Sequence, residues 1–322
     1  MARALLLATL IAVLGGCNAE QSTLTVFGTD ARAIRHIAII LTVGAVIILG
    51  ATGILYVRAI RASEHSLSHE QGMRMILWVG AIGPTLILTA LLVYALPAMR
   101  PRPAGPNDLV ITVEGEQFWW RIAYQPPGRA RLLSANEIRM PVGRTVVFEL
   151  TATDVIHSFW IPGLAGKMDM IPGRTNRLVV KAEKPGRYRG VCAEFCGLSH
   201  ALMAFDVIAM EPTEFDAWLS DASVTTAQPT TAAPGRILFD THGCGACHSI
   251  RGTPHAGTIG PDLSRFGERM TLGAGILPHD VDHIAAFIRT PQQAKPGVRM
   301  PAYSQLSEAE ARAIALYLKD MK

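Results

Sequence analysis

Residues 34–57 and 75–96 are too apolar and too long for an ordinary water-soluble domain. Each reaches the roughly 20 residues that a helix needs to cross a bilayer. Apart from Arg35 near the start of the first, neither contains Asp, Glu, Lys or Arg. Backbone in hydrocarbon must satisfy its own polar groups, so both stretches are expected as transmembrane helices. Arg58, Arg61 and Arg74 lie between the runs, against Arg32 before the first, Arg35 at its start, and Arg100 and Arg102 after the second. That bias sets the short connection in the cytoplasm and returns the rest of the chain to the outer face. A net charge of +4, with no basic run, leaves no electrostatic footprint for nucleic acid.

The texture of the chain changes around these spans. Residues 1–17 read as an export signal: Arg3, a short apolar core, then Leu14-Gly15-Gly16-Cys17, which resembles a bacterial lipobox and makes Cys17 a lipidation candidate. After a proline-rich exit, residues 108–210 are β-rich around Ile111, Val147 and Val179. Pro162-Gly163, Pro172-Gly173 and Pro185-Gly186 punctuate them, the pattern of a β-sandwich or barrel. A Ser/Thr/Ala/Pro-rich linker follows, and the remainder looks helical, with Ser307 and Glu310 as a capping box for the last helix.

The five cysteines would leave one over if all paired. Cys192, Cys196, His200 and Met203 crowd into one short segment, and His157 follows an earlier strand. Alone, each has an ordinary reading: a disulfide for the cysteines, core residues for His157 and Met203. Together, soft sulfur with imidazole suits copper or zinc, and the thioether favours copper. Two thiolates can bridge two copper ions. Cys192-Ala193-Glu194-Phe195-Cys196-Gly197-Leu198-Ser199-His200-Ala201-Leu202-Met203 resembles the binuclear copper (CuA) motif of cytochrome c oxidase subunit II, over about residues 108–219. The resemblance implies a cupredoxin-like fold with His157, Cys192, Cys196, His200 and Met203 as side-chain copper ligands and Glu194 as a carbonyl ligand. It further implies that the Glu194 carboxylate reaches a magnesium or manganese ion shared with the catalytic subunit. Residues 167–174 resemble the family's Lys-x-Asp-x-x-Pro-Gly-Arg turn. Phe118-Trp119-Trp120 resembles its electron-input patch, although many members carry tryptophan where this chain has Phe118, so Trp119 and Trp120 stay candidates. Glu70 is the nearest match to the family's proton-feeding glutamate, but its spacing to Trp78 and Pro84 fits an ordinary loop charge better.

Cys244-Gly245-Ala246-Cys247-His248 is a c-type haem attachment signature, with Cys244 and Cys247 forming thioethers and His248 the proximal ligand. Met300 is the chosen sixth ligand, with Met270 and Met321 as rivals. The loops at Met300-Pro301 and Gly260-Pro261-Asp262-Leu263 resemble those of small class I cytochromes c, over about residues 234–322. The other histidines (His36, His65, His69, His242, His255, His279, His283) read as solvated or structural.

The expected architecture is a multidomain membrane protein: signal and lipobox 1–17, a two-helix transmembrane hairpin 18–105, a cupredoxin-like copper domain 106–219, a linker 220–233 and an all-α cytochrome c domain 234–322. Neither centre has an acid–base pair or nucleophile beside it. The resemblance therefore implies an electron-input subunit of a haem-copper oxidase in the bacterial inner membrane. It would relay electrons from cytochrome c through the fused haem c and the copper pair to a catalytic subunit I that reduces oxygen and pumps protons. The linker would act as a tether that raises effective concentration. A nitric oxide reductase subunit and a free membrane-anchored carrier are the alternatives; a quinol oxidase subunit is disfavoured because its members lack the copper ligands.

Overall fold

The computed structural model describes residues 21–63, 66–100, 102–125, 131–224 and 233–321; Cys17 and the rest of the signal segment lie outside them, as do His65 and most of the linker. Two compact units result, one of Arg32–Arg102 and the other of the remaining chain.

The apolar runs are helices α1 (Thr29–Arg61) and α2 (His69–Met99), and no residue of either hydrophobic window is buried. A capping box between Ser68 and Gln71 starts α2. Glu70 lies in its first turn, exposed and 2.6 Å from Arg74, an ordinary helix-surface ion pair. From Ile76 to Ile82 the helix widens to the π form, and Gly83 N–H donates to Trp78 O. Pro84 is the local cause: it lacks an N–H and its ring crowds the preceding turn, so the hydrogen-bond ladder slips by one residue.

The other unit contains a β-sandwich. One sheet has the order β3-β2-β1-β5-β8, formed by β1 (Leu109–Glu116), β2 (Trp119–Tyr124), β3 (Leu132–Ala135), β5 (Val146–Ala152) and β8 (Asn176–Val180). The second has the order β4-β10-β9-β6-β7, formed by β4 (Glu137–Pro141), β6 (His157–Trp160), β7 (Met168–Met170), β9 (Gly186–Cys192) and β10 (Ala204–Met210). Each sheet contains one parallel pair, β1–β5 in the first and β4–β10 in the second. Inward-pointing Ile111, Val113, Trp120, Phe148, Phe159 and Phe205 fill the space between them. Phe205 stacks on Phe159 at 4.7 Å and meets Trp120 edge-on at 5.1 Å, the offset geometries that aromatic quadrupoles favour.

Residues just before α1 and in its first turn, up to Ala31, belong to this unit rather than to the expected hairpin. Phe27 N–H donates to Gly163 O (2.9 Å), Glu183 N–H to Phe27 O (2.7 Å), and Ala31 N–H to Leu164 O (3.2 Å). The Phe27 ring lies against Tyr188.

Helix α3 (Pro212–Val224) closes the sandwich, so the first residues of the expected linker are helical. The C-terminal part is helical as expected: α4 (Ala233–Thr241), α5 (Val281–Arg289), the short α6 (Pro291–Ala294) and α7 (Glu308–Lys319), with a small hairpin of β11 (Thr271–Leu272) and β12 (Leu277–Pro278). Helices α4 and α5 pack on α7 through Phe239, Ile284, Ile288, Ile314 and Tyr317. The capping box read from Ser307 and Glu310 is present.

The tightest sheet contact is Gly190 on β9, paired with Phe205 on β10. A Cβ there would stand 2.0 Å from Phe205 Cζ. Gly190→Ala should therefore force the aromatic core apart and destabilise the sandwich by about 1–3 kcal/mol. The measurement is the denaturation midpoint followed by tryptophan fluorescence; an unchanged midpoint would show that the ring has room to move.

Candidate copper and haem centres

Strand pairing assembles the first cluster. Phe159 of β6 pairs with Cys192 of β9, which brings His157 at the start of β6 beside the end of β9. The chain then turns through Gly197 (φ +125°), a conformation suited to glycine, and passes a 3₁₀ turn at His200–Leu202 into β10. Cys192 Sγ lies 3.8 Å from Cys196 Sγ and 3.8 Å from His157 Nδ1. Cys196 Sγ lies 3.7 Å from His200 Nδ1 and 3.8 Å from Met203 Sδ. The Glu194 carbonyl oxygen is 3.2 Å from Cys192 Sγ. His157, Cys192, Cys196 and Met203 are buried.

These separations fit metal ligands. The sulfurs are far beyond the roughly 2.05 Å of a disulfide, and both cysteines are free. With metal–sulfur bonds of about 2.3 Å and a near-tetrahedral angle, two thiolates on one ion stand about 3.8 Å apart. Among the described residues, His157, Cys192 and Cys196 form the one group of three or more His, Cys or acidic side chains drawn close enough for a metal. The sulfurs compete for one proton: contact with Cys196 holds Cys192 well below the usual thiol range, and contact with Cys192 pushes Cys196 up.

Asp154, which the sequence reading passed over, orients His157. Its Oδ1 lies 2.9 Å from His157 Nε2, leaving Nδ1 toward the thiols. Burial works against its charge, but the amide of Gln117, together with His157 and the amide of Val155, holds its carboxyl below the ordinary range. An Asp three residues before a candidate ligand was the available signal. Gly115 on β1 makes room for the imidazole: a Cβ would come 2.9 Å from His157 Cδ2. The Glu194 carboxylate faces away toward Lys167 (3.6 Å), which also pairs with Asp169 (2.8 Å).

The second cluster lines an apolar cavity of about 200 Å³. Cys244, Cys247 and His248 stand on one part of its wall, with Met300, Phe239 and Ile284 among the rest. His248 Nδ1 is 2.8 Å from Pro261 O, so its other nitrogen is left for a metal. Burial lowers the His248 pKa, favouring the neutral imidazole that a metal needs. Gly260 lets that ring in: a Cβ would lie 2.5 Å from His248 Cε1. Of the three methionines considered, only Met300 lines the cavity; Met270 is largely exposed and Met321 is sealed in the helical core. An apolar cavity with two free thiols, a fixed imidazole and a thioether fits a covalently attached haem.

The two centres share one compact unit. Arg121 Nη2 donates to Thr258 O (2.8 Å), Arg189 Nη1 to Gly275 O (2.7 Å), and Ser199 Oγ to Pro296 O (2.6 Å). Glu116 accepts from Arg299 (2.5 Å), and Ala204 N–H donates to Ala274 O (3.0 Å). Beyond the tether that the linker supplies, the seam holds the two domains docked. The aromatic candidates occupy different places in this unit. Trp120 is buried in the sandwich core, beyond the reach of an external partner. Phe118 is 4% exposed, and with Trp119 it lines the cavity.

A β-sandwich bearing a sulfur–imidazole cluster, fused to a helical domain with a haem-type pocket, defines a membrane-anchored electron-transfer protein. Residues 109–210 match the family model "Cytochrome C oxidase subunit II, periplasmic domain", and residues 232–322 match "Cytochrome c". The chain is 43% identical over 220 residues to cytochrome c oxidase subunit 2 of Alkalihalophilus pseudofirmus, covering 68% of this chain and 63% of that one. It is 32% identical over 251 residues to the Bacillus subtilis protein of the same name, covering 74% and 69%. The crystal structure of the periplasmic domain of subunit II of cytochrome oxidase of Bradyrhizobium japonicum is 32% identical, with 37% of this chain and 96% of that one covered and a TM-score of 0.35. The chain belongs to the cytochrome c oxidase subunit 2 family, with a cytochrome c domain at its C-terminal end. Those domains imply a CuA copper site and a haem.

Because hydrogen-bonded partners of metal-bound imidazoles are typically worth about 10–100-fold in affinity, Asp154→Asn should weaken copper retention by that order while leaving the sandwich folded. Competition against a copper chelator measures it; wild-type retention would mean that Asp154 does not orient His157.

Proposed function

We propose that this chain is the electron-input subunit of a haem-copper oxidase in the bacterial inner membrane, anchored by α1 and α2, with both centres on the periplasmic side. The single observation that carries the reading is the presence of two redox-type ligand clusters in one compact unit. When bound, the haem and the copper pair supply reversible one-electron exchange. The chain's own residues do the rest. Cys244 and Cys247 would hold the haem covalently, with His248 and Met300 as axial ligands. His157, Cys192, Cys196, His200 and Met203 would hold the copper pair, with the Glu194 carbonyl. The seam fixes the distance between the clusters, and the apolar walls keep water from reorganising around a change of charge.

The order of transfer runs from cytochrome c or another periplasmic donor, through the haem domain and the copper domain, to a partner catalytic subunit I. That partner reduces oxygen to water and pumps protons; among the described residues nothing is arranged for either reaction. The Glu194 carboxylate, beside Lys167 and Asp169, is the candidate for a magnesium or manganese ion at that contact. Cys17 is the candidate lipid anchor.

Cys196→Ser tests the order. A serine hydroxyl is hard and stays protonated near neutral pH, so the bridged pair should be lost or reduced to one copper. In the purified complex, stopped-flow spectroscopy should then show normal reduction of the haem near Cys244 and slow or absent reduction of the partner's haem. Oxygen turnover near wild type would mean that electrons bypass the copper domain. Met300→His tests the haem ligation: attachment should persist, and the reduction potential should fall as imidazole replaces thioether. An unchanged potential and an unchanged Met-to-iron absorption band would remove Met300 from the ligand set.

A further inference from the structure

Lys295 has no role in either ligand set, yet it is among the most deeply buried charged groups in the protein, 2% exposed. Its Nζ donates to Leu202 O (2.9 Å), the residue before candidate copper ligand Met203, and to Gly273 O (2.8 Å), in the β11–β12 turn of the haem domain. The side chain also lines the haem-type cavity. Among the described residues no carboxylate stands within ion-pair distance of it.

Lysines are almost never buried this far without a countercharge, because an ammonium removed from water is costly unless an anion replaces the water. Two carbonyls take two of its three protons and supply no charge. Burial brings its pKa down to about 7. The cavity is imbalanced in the same sense: Arg269, Lys295 and Arg299 line it, against the single acid Glu116. Glu116 already holds Arg299 at 2.5 Å and Arg121 at 3.3 Å. Arg269 is buried too, donating to Asp262 O and lying over the Phe266 ring. Among the described residues, the wall thus presents two cations without a carboxylate at ion-pair distance, and a haem carries two carboxylates.

We propose that Lys295 is a positioning residue for haem-to-copper transfer, whose ammonium ties the copper loop to the haem domain while pairing with a carboxylate of the haem that fills the cavity. One side chain then touches all three parts whose spacing sets the transfer rate. A positive charge beside the haem favours the reduced state, so Lys295 would also raise the haem potential. The proposal rests on the relay reading above; the wild-type mass, which reports covalent haem, tests that reading independently of Lys295.

The test uses the intact complex with Lys295→Met, of similar length but without donors or charge, and Lys295→Arg. Metal analysis and mass report copper and haem content, spectroelectrochemistry the haem potential, and flash photolysis the haem-to-copper rate. Lys295→Met should keep both cofactors, lower the haem midpoint potential, and slow internal transfer by about tenfold or more, the scale of a small loss of alignment. Lys295→Arg should restore the potential. If Lys295→Met does not assemble, Lys295→Gln, which keeps an N–H without the charge, carries the same expectation. A wild-type potential in the neutral variant, or failure of arginine to restore it, would overturn the proposal.

Discussion

The pairing of Phe159 with Cys192 across β6 and β9 is the contact on which the rest depends. It brings together two segments far apart in sequence and turns a scattered histidine into part of a sulfur cluster. The aromatic core stabilises that register: Phe159 sits between Phe148, Phe205 and Trp120, so slipping β6 by one residue would turn Phe159 away from the core. Apolar packing, rather than a metal, therefore supplies much of the order in the ligand shell. Asp154, in the connection before β6, and Gly115, on β1 of the other sheet, complete it, one by accepting from the ring and one by leaving space for it.

The haem-type pocket is built on a different plan. Its candidate ligands are close in sequence at Cys244, Cys247 and His248, and the fold supplies mainly a wall and a lid. His248 is aimed by a backbone carbonyl, Pro261 O, rather than by a carboxylate. A neutral acceptor leaves the imidazole less electron-rich than an anionic one would. The two centres thus differ in how their histidines are held: an anion behind His157, a neutral dipole behind His248.

Much of this was legible in the sequence, for identifiable reasons. The apolar runs at 34–57 and 75–96 announce helices because lipid permits little else. Cys192 to Met203 and Cys244 to His248 announce chemistry because their spacing within one loop is itself the constraint. The seam was not legible. Many of its bonds end on backbone carbonyls, at Leu202, Thr258, Gly275 and Pro296, and every residue has a carbonyl. Lys295 looked like any loop lysine, and the strap at Phe27 looked like part of the first span's approach. The π segment of α2 was foreshadowed only by Pro84.

The seam also bears on Phe118, where the resemblance to subunit II leads to an expectation of tryptophan. Phe118 is held from two sides. A Cβ on Gly197 of the copper loop would lie 3.2 Å from Phe118 Cζ, and a Cβ on Gly297 of the haem domain would lie 3.2 Å from Phe118 Cε2. Both neighbours are glycines with positive φ, so the ring has displaced every side chain that could have stood there. An indole is wider than a phenyl and brings an N–H that would need a partner in a closed space. The docked cytochrome domain closes over this face, and phenylalanine is the aromatic that fits between the two glycines. Packing of the two domains against each other thus limits the size of the ring at 118.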